Sequence, residues 1–266
     1  AALIVSIIAA SFLAKPSSGG KKGGYDPDAY PLDTSLSAVL GATTADDSYI
    51  TSSVFAGDQM AVTLSQDSRI TLDQYVGKDG LLIAQAGRES CVYFEEDSNS
   101  YTILQAIAKM KPRRVIVTLG SADAAAGTEA SAFLTDYKQL LQNIKAAYSY
   151  CDIIAAGVAP VLETADNAAV MQTLIDQYNQ GIAALCEDLG CKYLNTAEVL
   201  KTESGYGEAT YFSGSGLSRS GATALANYIM NHAYQTDDQR PDTNDIPKRA
   251  AAAMGVATPT PTPTPE

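Results

Sequence analysis

The stretch RVIVTLG at residues 114–120 is an almost continuous apolar run that ends in glycine, and it decides the fold class. Such a run is typical of a strand in a parallel sheet whose two faces are both covered. Four other runs of similar character predict further strands: SVFAG (53–57), LLIAQAG (81–87), DIIAAGVAP (152–160) and CKYLN (191–195).

Amphipathic helical patterns fill the gaps between these runs. They cover residues 101–110, 129–150, 167–190 and 218–234. The third pattern ends at Gly190, a residue suited to a helix C-cap. Alternation of strands and helices predicts an α/β fold in three layers, with a five-stranded parallel sheet between two layers of helices.

Glycine ends three of the predicted strands, at Gly57, Gly87 and Gly120. In sheets of this kind, ligands bind beyond the carboxyl ends of the strands. Glycine there allows a sharp turn or a close approach of the backbone to a ligand. Ordinary turn chemistry explains any one of the three, but three on one rim predict a shared cleft.

The two ends of the chain differ from its centre. The run at 1–14 (AALIVSIIAASFLA) is apolar and uncharged, and we expect it to be the remnant of a signal peptide or membrane anchor; a buried helix is the alternative. Residues 15–45 have linker composition, 46–235 form the predicted domain, and 236–266 end in a Thr-Pro stalk. We therefore expect an extracytoplasmic protein, secreted or anchored at the cell surface.

Charge and residue counts exclude several function classes. The 266 residues carry 18 Lys and Arg against 30 Asp and Glu, a formal net charge of −12. That charge repels phosphate backbones, so we expect no nucleic-acid partner. The single histidine, His232, excludes multi-histidine metal sites, and no cluster has metal-ligand spacing. We therefore expect neither a metal nor a cofactor.

Several segments in register resemble the SGNH (GDSL-type) hydrolases, a family of esterases and acetylesterases with a flavodoxin-like sheet. VFAGDQ (54–59) is similar to the first block, in which a strand ends in Gly-Asp-Ser and the serine is the nucleophile. Gly87 takes the place of the oxyanion-hole glycine of the second block. VTLGSADAAAG (117–127) resembles the third block, and YFSGSGLSRSGATALANYI (211–229) resembles the last.

The same resemblance exposes four departures from the family's catalytic residues. Gln59 stands at the position of the nucleophilic serine, and Ala122 at that of the oxyanion-hole asparagine. Ser213 replaces the aspartate and Gly216 the histidine of the last block. Acyl transfer by this route needs a hydroxyl, a base and a group that orients the base. The sequence therefore predicts that no catalytic residue is intact.

Other residues could supply chemistry, and each has a simpler explanation. Asp58 and Asp123 could form a paired-carboxylate site, but we favour a structural reading in which Asp58 braces its turn and Asp123 begins a loop. His232 lies about four helical turns beyond Gly216, so we expect it at a helix end and not at the cleft.

A binding site could survive without the catalytic residues. Backbone N–H groups and neutral polar side chains would line such a cleft and suit a glycan or an acylated carbohydrate. The candidate ligand-binding residues are Asp58, Gln59, Gly87, Gly120, Ser121, Ser213 and Ser215.

The four cysteines lack C-x-x-C spacing, which argues against a zinc ribbon or a redox dithiol. An exported domain can form disulfides. Cys186–Cys191 is the favoured bridge, with free buried thiols as the alternative. We expect Cys91 to lie at the cleft rim and not to pair with Cys151.

Three functions are consistent with these residues. The first is a non-catalytic SGNH-hydrolase-like domain that binds a ligand or serves in cell-surface architecture. The second is an active esterase or carbohydrate deacetylase with an unconventional site. The third is a structural subunit of a surface assembly.

Overall fold

A computed structural model describes residues 24–95 and 97–250 of the chain. The predicted membrane or signal segment at 1–14 and the Thr-Pro stalk lie outside these residues. Within them, no helix is both long enough and apolar enough to cross a bilayer.

Five parallel strands form the central sheet, in the order β2-β1-β5-β6-β7. They are β1 (Ser53–Gly57), β2 (Tyr75–Gly77), β5 (Arg114–Thr118), β6 (Asp152–Ala156) and β7 (Lys192–Leu194). Two short antiparallel hairpins stand beside the sheet: β3 (Ser90–Tyr93) with β4 (Ser100–Thr102), and β8 (Phe212–Ser213) with β9 (Gly216–Leu217). This strand order is the flavodoxin-like one, and the predicted α/β fold is confirmed.

Nine helices in the described residues cover the sheet. They are α1 (Ser48–Thr51), α2 (Gln59–Leu64), α3 (Ile83–Ala86), α4 (Ile103–Met110), α5 (Ser121–Ala126), α6 (Ala130–Ala147), α7 (Ala168–Leu189), α8 (Ala197–Leu200) and α9 (Arg219–Asn231). Local signals set their ends: Thr102 and Gln105 form a capping box on α4, and left-handed Gly190 ends α7.

Alternate residues of each strand divide the interior into two apolar cores. Val54, Val115 and Val117 pack with residues of α4, α6 and α7 on one face. Phe55 and Ile116 pack with residues of α2 and α9 on the other. Because side chains alternate across a strand, a continuously apolar strand serves both cores at once.

One predicted strand is wrong. LLIAQAG at 81–87 contains the short helix α3, and the second strand of the sheet is Tyr75–Gly77 instead. An apolar run of this length fits a buried helix as well as a strand, and periodicity cannot separate the two.

Chain segments outside the predicted span 46–235 also pack against the domain. Leu40 N donates to Tyr193 O (2.9 Å), which attaches the preceding segment to the edge strand β7. At the other end, the buried Arg249 donates to Tyr75 O (2.8 Å) and Tyr93 O (3.2 Å). The packed region is therefore wider than predicted, and residues 236–250 are not a detached tail.

Candidate functional site

Asp58 connects two strand ends on the carboxyl rim of the sheet. Its carboxyl follows β1, is fully buried, and caps α2 by accepting a hydrogen bond from Met60 N (3.1 Å). Three further backbone N–H groups, from the N-terminal end of α5 after β5, donate to its second oxygen: Gly120 (3.2 Å), Ser121 (2.9 Å) and Ala122 (3.3 Å). Asp58 thus braces the turn, as the structural reading of the sequence proposed.

Burial raises the pKa of Asp58 to about 6, and the backbone hydrogen bonds act in the opposite direction. Asp123 is also buried, which raises its pKa, and its carboxyl accepts from Ile83 N (2.9 Å). Asp123 lies within α5, whereas the sequence had predicted that it begins a loop. The two carboxyls hold different backbone segments, so these contacts do not form a paired-carboxylate site.

Gln59 is the first residue of α2 and only 7% of its surface is exposed. Its Oε1 atom is buried and has no hydrogen-bond partner among the described residues. Its backbone oxygen accepts a hydrogen bond from Thr63 Oγ1 (2.7 Å), one turn along the helix. A carboxamide therefore occupies the start of α2, where the family resemblance places a nucleophilic hydroxyl.

The β8–β9 hairpin packs against the same helix. Ser213 pairs with Gly216 in this hairpin, and Leu217 N donates to Thr63 Oγ1 (2.9 Å). A Cβ atom on Gly216 would lie 2.5 Å from Thr63 Cγ2, closer than real side-chain contacts allow. A side chain at position 216 would therefore require the Thr63 side chain to move.

The four positions that depart from the family pattern therefore gather around α2. The Ala122 N–H donates to Asp58, which caps α2, and Gly216 lies against Thr63 of α2. Of the proposed ligand-binding serines, Ser213 is exposed and Ser121 is half-buried, and Ser215 beside them is also exposed. Ser213 and Ser215 therefore lie at the surface, whereas the Gln59 side chain is enclosed.

Gly87 does not stand where the sequence placed it. It ends α3, not a strand, and lines a small groove with Arg88 and Asp136. The glycine that ends the second strand is Gly77, whose φ of +151° is rarely adopted by other residues. The spacing of Gly77 and Gly80 was the signal that could have located this turn.

His232 lies at the C-terminal end of α9, matching its predicted helix-end position. Its ring stacks on Tyr228 with centroids 3.9 Å apart, and its Nδ1 lies 3.1 Å from Tyr228 O. These contacts hold the imidazole at the far end of the helix that follows the β8–β9 hairpin, so it does not replace a base at Gly216.

All four cysteines are free thiols, so the favoured Cys186–Cys191 disulfide is absent. Cys191 N donates to Cys186 O (3.0 Å) in the turn that ends α7, which brings the two residues together without a covalent bond. Burial raises the pKa of the Cys91 and Cys151 thiols to about 11. Neutral thiols of this kind are poor nucleophiles.

No group of three or more His, Cys, Asp or Glu side chains within 24–95 and 97–250 is placed to hold a metal ion.

Comparison with known proteins identifies the protein family. A model of the GDSL-like Lipase/Acylhydrolase family matches residues 71–232, more than half of the chain. The chain therefore belongs to the GDSL-like lipase/acylhydrolase family. A search of curated proteins found no match.

One solved structure with a TM-score above 0.5 has a similar fold, and two others are similar at lower scores. A structure from Streptococcus pneumonia whose name refers to a platelet activating factor is similar at 17% identity and a TM-score of 0.53, over 68% of this chain and 83% of that one. A Desulfitobacterium hafniense DCB-2 protein named as lipolytic and of the G-D-S-L family shares 17% identity at a TM-score of 0.47, over 68% and 98%. Axe2, an acetylxylan esterase from Geobacillus stearothermophilus, shares 16% at 0.45, over 68% and 94%.

Proposed function

We propose that this chain is a non-catalytic member of its family, exported and tethered, which binds a ligand instead of hydrolysing one. The observation that carries the proposal is the contact between Gly216 and Thr63. A Cβ at 216 would lie 2.5 Å from Thr63 Cγ2, so the Thr63 side chain would have to move before the position that the resemblance assigns to the base could carry an imidazole.

The chemistry of the remaining groups supports this proposal. A glutamine side chain is not a nucleophile at neutral pH, so Gln59 cannot form an acyl-enzyme. Ala122 offers no side-chain donor to an oxyanion, and loss of one such donor typically lowers the rate about 10²–10³-fold. The N–H groups of Gly120, Ser121 and Ala122 are already engaged by Asp58. Nucleophile, base and this oxyanion donor are therefore missing together.

Binding requires less than catalysis, and polar groups for it remain near α2. Gln59 Oε1 is a buried acceptor that a ligand donor could satisfy. Ser213 and Ser215 add exposed hydroxyls, and Tyr211 lies half-buried beside them. Neutral amides, hydroxyls and an aromatic ring suit a glycan or an acylated carbohydrate.

An esterase assay with a matched series of variants tests the proposal. The unaltered protein should hydrolyse 4-nitrophenyl acetate and acetylated xylo-oligosaccharides no faster than its Gln59→Ala variant. Gln59→Ser, which supplies a hydroxyl without a base, should also stay at this level.

Turnover well above background that Gln59→Ala abolishes would instead establish an active esterase with an unconventional site. Absence of turnover together with a concentration-dependent oligomer in light scattering, and no binding on a glycan array, would favour a structural assembly subunit. Either result would contradict the proposed ligand-binding role.

A further inference from the structure

A second cavity lies on the carboxyl rim of the sheet, at the end of β7. Its volume is about 330 Å³, at the lower end of the range typical of small-molecule sites. Asn195 and Glu198 follow β7 and line one wall, while Asp176 and Asn179 of α7 line another. Since β5 and β6 separate β7 from β1, this cavity lies roughly 14 Å from the Asp58 turn across the sheet.

The segment that precedes the predicted domain roofs this cavity. Pro27, Tyr30 and Pro31 line its outer side. The roof is fixed at two points: Tyr25 Oη donates to Asp176 Oδ2 (2.5 Å), and Gln180 Nε2 donates to Pro31 O (3.1 Å). A partly open polar cavity with an apolar roof is therefore part of the packed structure.

Tyr193 lines the cavity, and its hydroxyl is buried next to Gly157. The Tyr193 side chain is fully buried and lines this space, yet its Oη has no hydrogen-bond partner among the described residues. A Cβ atom on Gly157 would lie 2.6 Å from this oxygen, so the hydroxyl fits only because residue 157 is glycine. A buried hydroxyl without a partner destabilises the folded protein, and a ligand that bonded to it would remove that penalty.

Charges around the cavity limit the class of ligand. Asp176 is paired with Lys201 (2.5 Å) and also accepts from Gln172, which compensates its buried charge. Glu198 adds a second carboxylate, which accepts from Tyr228 Oη (2.8 Å). Two carboxylates against one ammonium leave one formal negative charge, which disfavours an anionic ligand.

We propose that this cavity binds a neutral carbohydrate ring. Ring hydroxyls both donate and accept, as the Tyr193 hydroxyl and the Asn195 amide do. The Glu198 carboxylate accepts from a further sugar hydroxyl, while Tyr30 and Pro31 contact the apolar face of the ring. This site is separate from Gln59 and goes beyond the proposed function, because hydrolytic activity at α2 would leave it unchanged.

Saturation-transfer NMR on the full chain tests the proposal, with glucose, xylose and N-acetylglucosamine as neutral probes and glucosamine and glucuronate as charged ones. At least one neutral sugar should bind saturably. Tyr193→Phe should weaken that binding about three- to tenfold, the effect of one lost hydrogen bond.

Two controls make the result specific. Tyr75→Phe removes another fully buried hydroxyl that lacks a partner among the described residues, but at the opposite edge of the sheet, and should leave sugar binding unchanged. The Tyr193→Phe and Tyr75→Phe variants are therefore also compared in a Gln59→Ala background, in which sugar binding that depends on α2 is removed and the remaining binding reports this cavity. Tyr193→Phe itself should unfold at the same temperature as the unaltered chain or higher, because no protein hydrogen bond is lost.

Three results would overturn the proposal. They are binding of none of the neutral sugars, binding of the charged sugars alone, and equal affinities of the Tyr193→Phe and Tyr75→Phe variants. Loss of sugar binding in Gln59→Ala but not in Tyr193→Phe would assign the ligand to α2, and would support the proposed function while contradicting this second site.

Discussion

The two ends of helix α2 make contacts of different kinds. At its N-terminus, the buried Asp58 carboxyl holds four backbone N–H groups and keeps two strand ends in place. One turn further on, Thr63 packs against Gly216 and takes the space of a side chain. The Asp58 contacts support the fold, whereas the Thr63 contact restricts the position that the proposed function treats as the lost base. The two ends of α2 therefore allow support of the fold and chemistry at the site to be tested separately.

The largest expected effect comes from removing the scaffold contact. Asp58→Ala leaves four buried N–H groups without their acceptor, and we expect it to lower the free energy of unfolding by about 3–5 kcal/mol. Urea denaturation followed by circular dichroism measures this change.

Asp33→Ala is the matched control for that variant. Asp33 is an exposed aspartate that accepts only from Ser35, and its loss should cost less than about 1 kcal/mol. Equal losses for the two variants would show that the Asp58 contact is not a main support of the fold.

The pH dependence of stability provides a second way to test the Asp58 turn. Its pKa is raised from 3.8 to about 6, so between pH 4 and 6 the folded state binds more protons than the unfolded state. The free energy of unfolding contributed by this group is therefore full below about pH 4 and falls as pH rises through 6, by up to about 3 kcal/mol.

Urea denaturation across this range should show a flatter profile for Asp58→Asn than for the unaltered chain. Asp123 acts in the same direction, since burial also raises its pKa. Asp67 and Asp238 have pKa values lowered to about 2 by Arg69 and Arg240, so they titrate below this window. An unchanged slope in Asp58→Asn would refute the assignment.

Restoring a histidine tests the closed position of the base directly. We expect Gly216→His to overpack the contact with Thr63 and to lower the free energy of unfolding by about 1–3 kcal/mol, without producing esterase activity. Ser215→His, at an exposed neighbouring position, should change stability by no more than about 0.5 kcal/mol. If Gly216→His were as stable as Ser215→His, position 216 would not be closed.

The hydroxyl of Thr63 should have a smaller effect. It donates to Gln59 O and accepts from Leu217 N, so Thr63→Val should cost about 1–2 kcal/mol at nearly constant shape. Thr135→Val removes a single exposed helical hydroxyl bond to Ser131 O, and thermal unfolding should show a loss below about 0.5 kcal/mol. A larger loss in Thr135→Val would contradict the role given to Thr63.

The sequence predicted the layers of the fold because its long strands are continuously apolar. It failed at β2, whose three residues Tyr75–Gly77 are too short for a pattern, while the apolar run at 81–87 contains a helix. The packing of Arg249 was also missed, because its hydrogen bond to Tyr75 O joins residues far apart in the chain.

Part of the candidate site was also predictable from local sequence patterns. The order of the blocks singled out Gln59, Ala122, Ser213 and Gly216, and the structure brings these residues together around α2, while their roles stay a prediction. Gly87 was misplaced together with the strand assigned to it. The contact that closes position 216, and the unpartnered hydroxyl of Tyr193, depend on tertiary packing that no local pattern encodes.

One measurement tests the central claim most directly. The intact protein is incubated with a fluorophosphonate, which forms a covalent adduct with an activated serine, and its mass is then determined. We predict an unchanged mass, since Gln59 stands in the nucleophile position and position 216 carries no base. A single adduct on a serine of the α2 region, such as Ser121 or Ser213, would show an activated nucleophile and contradict the account.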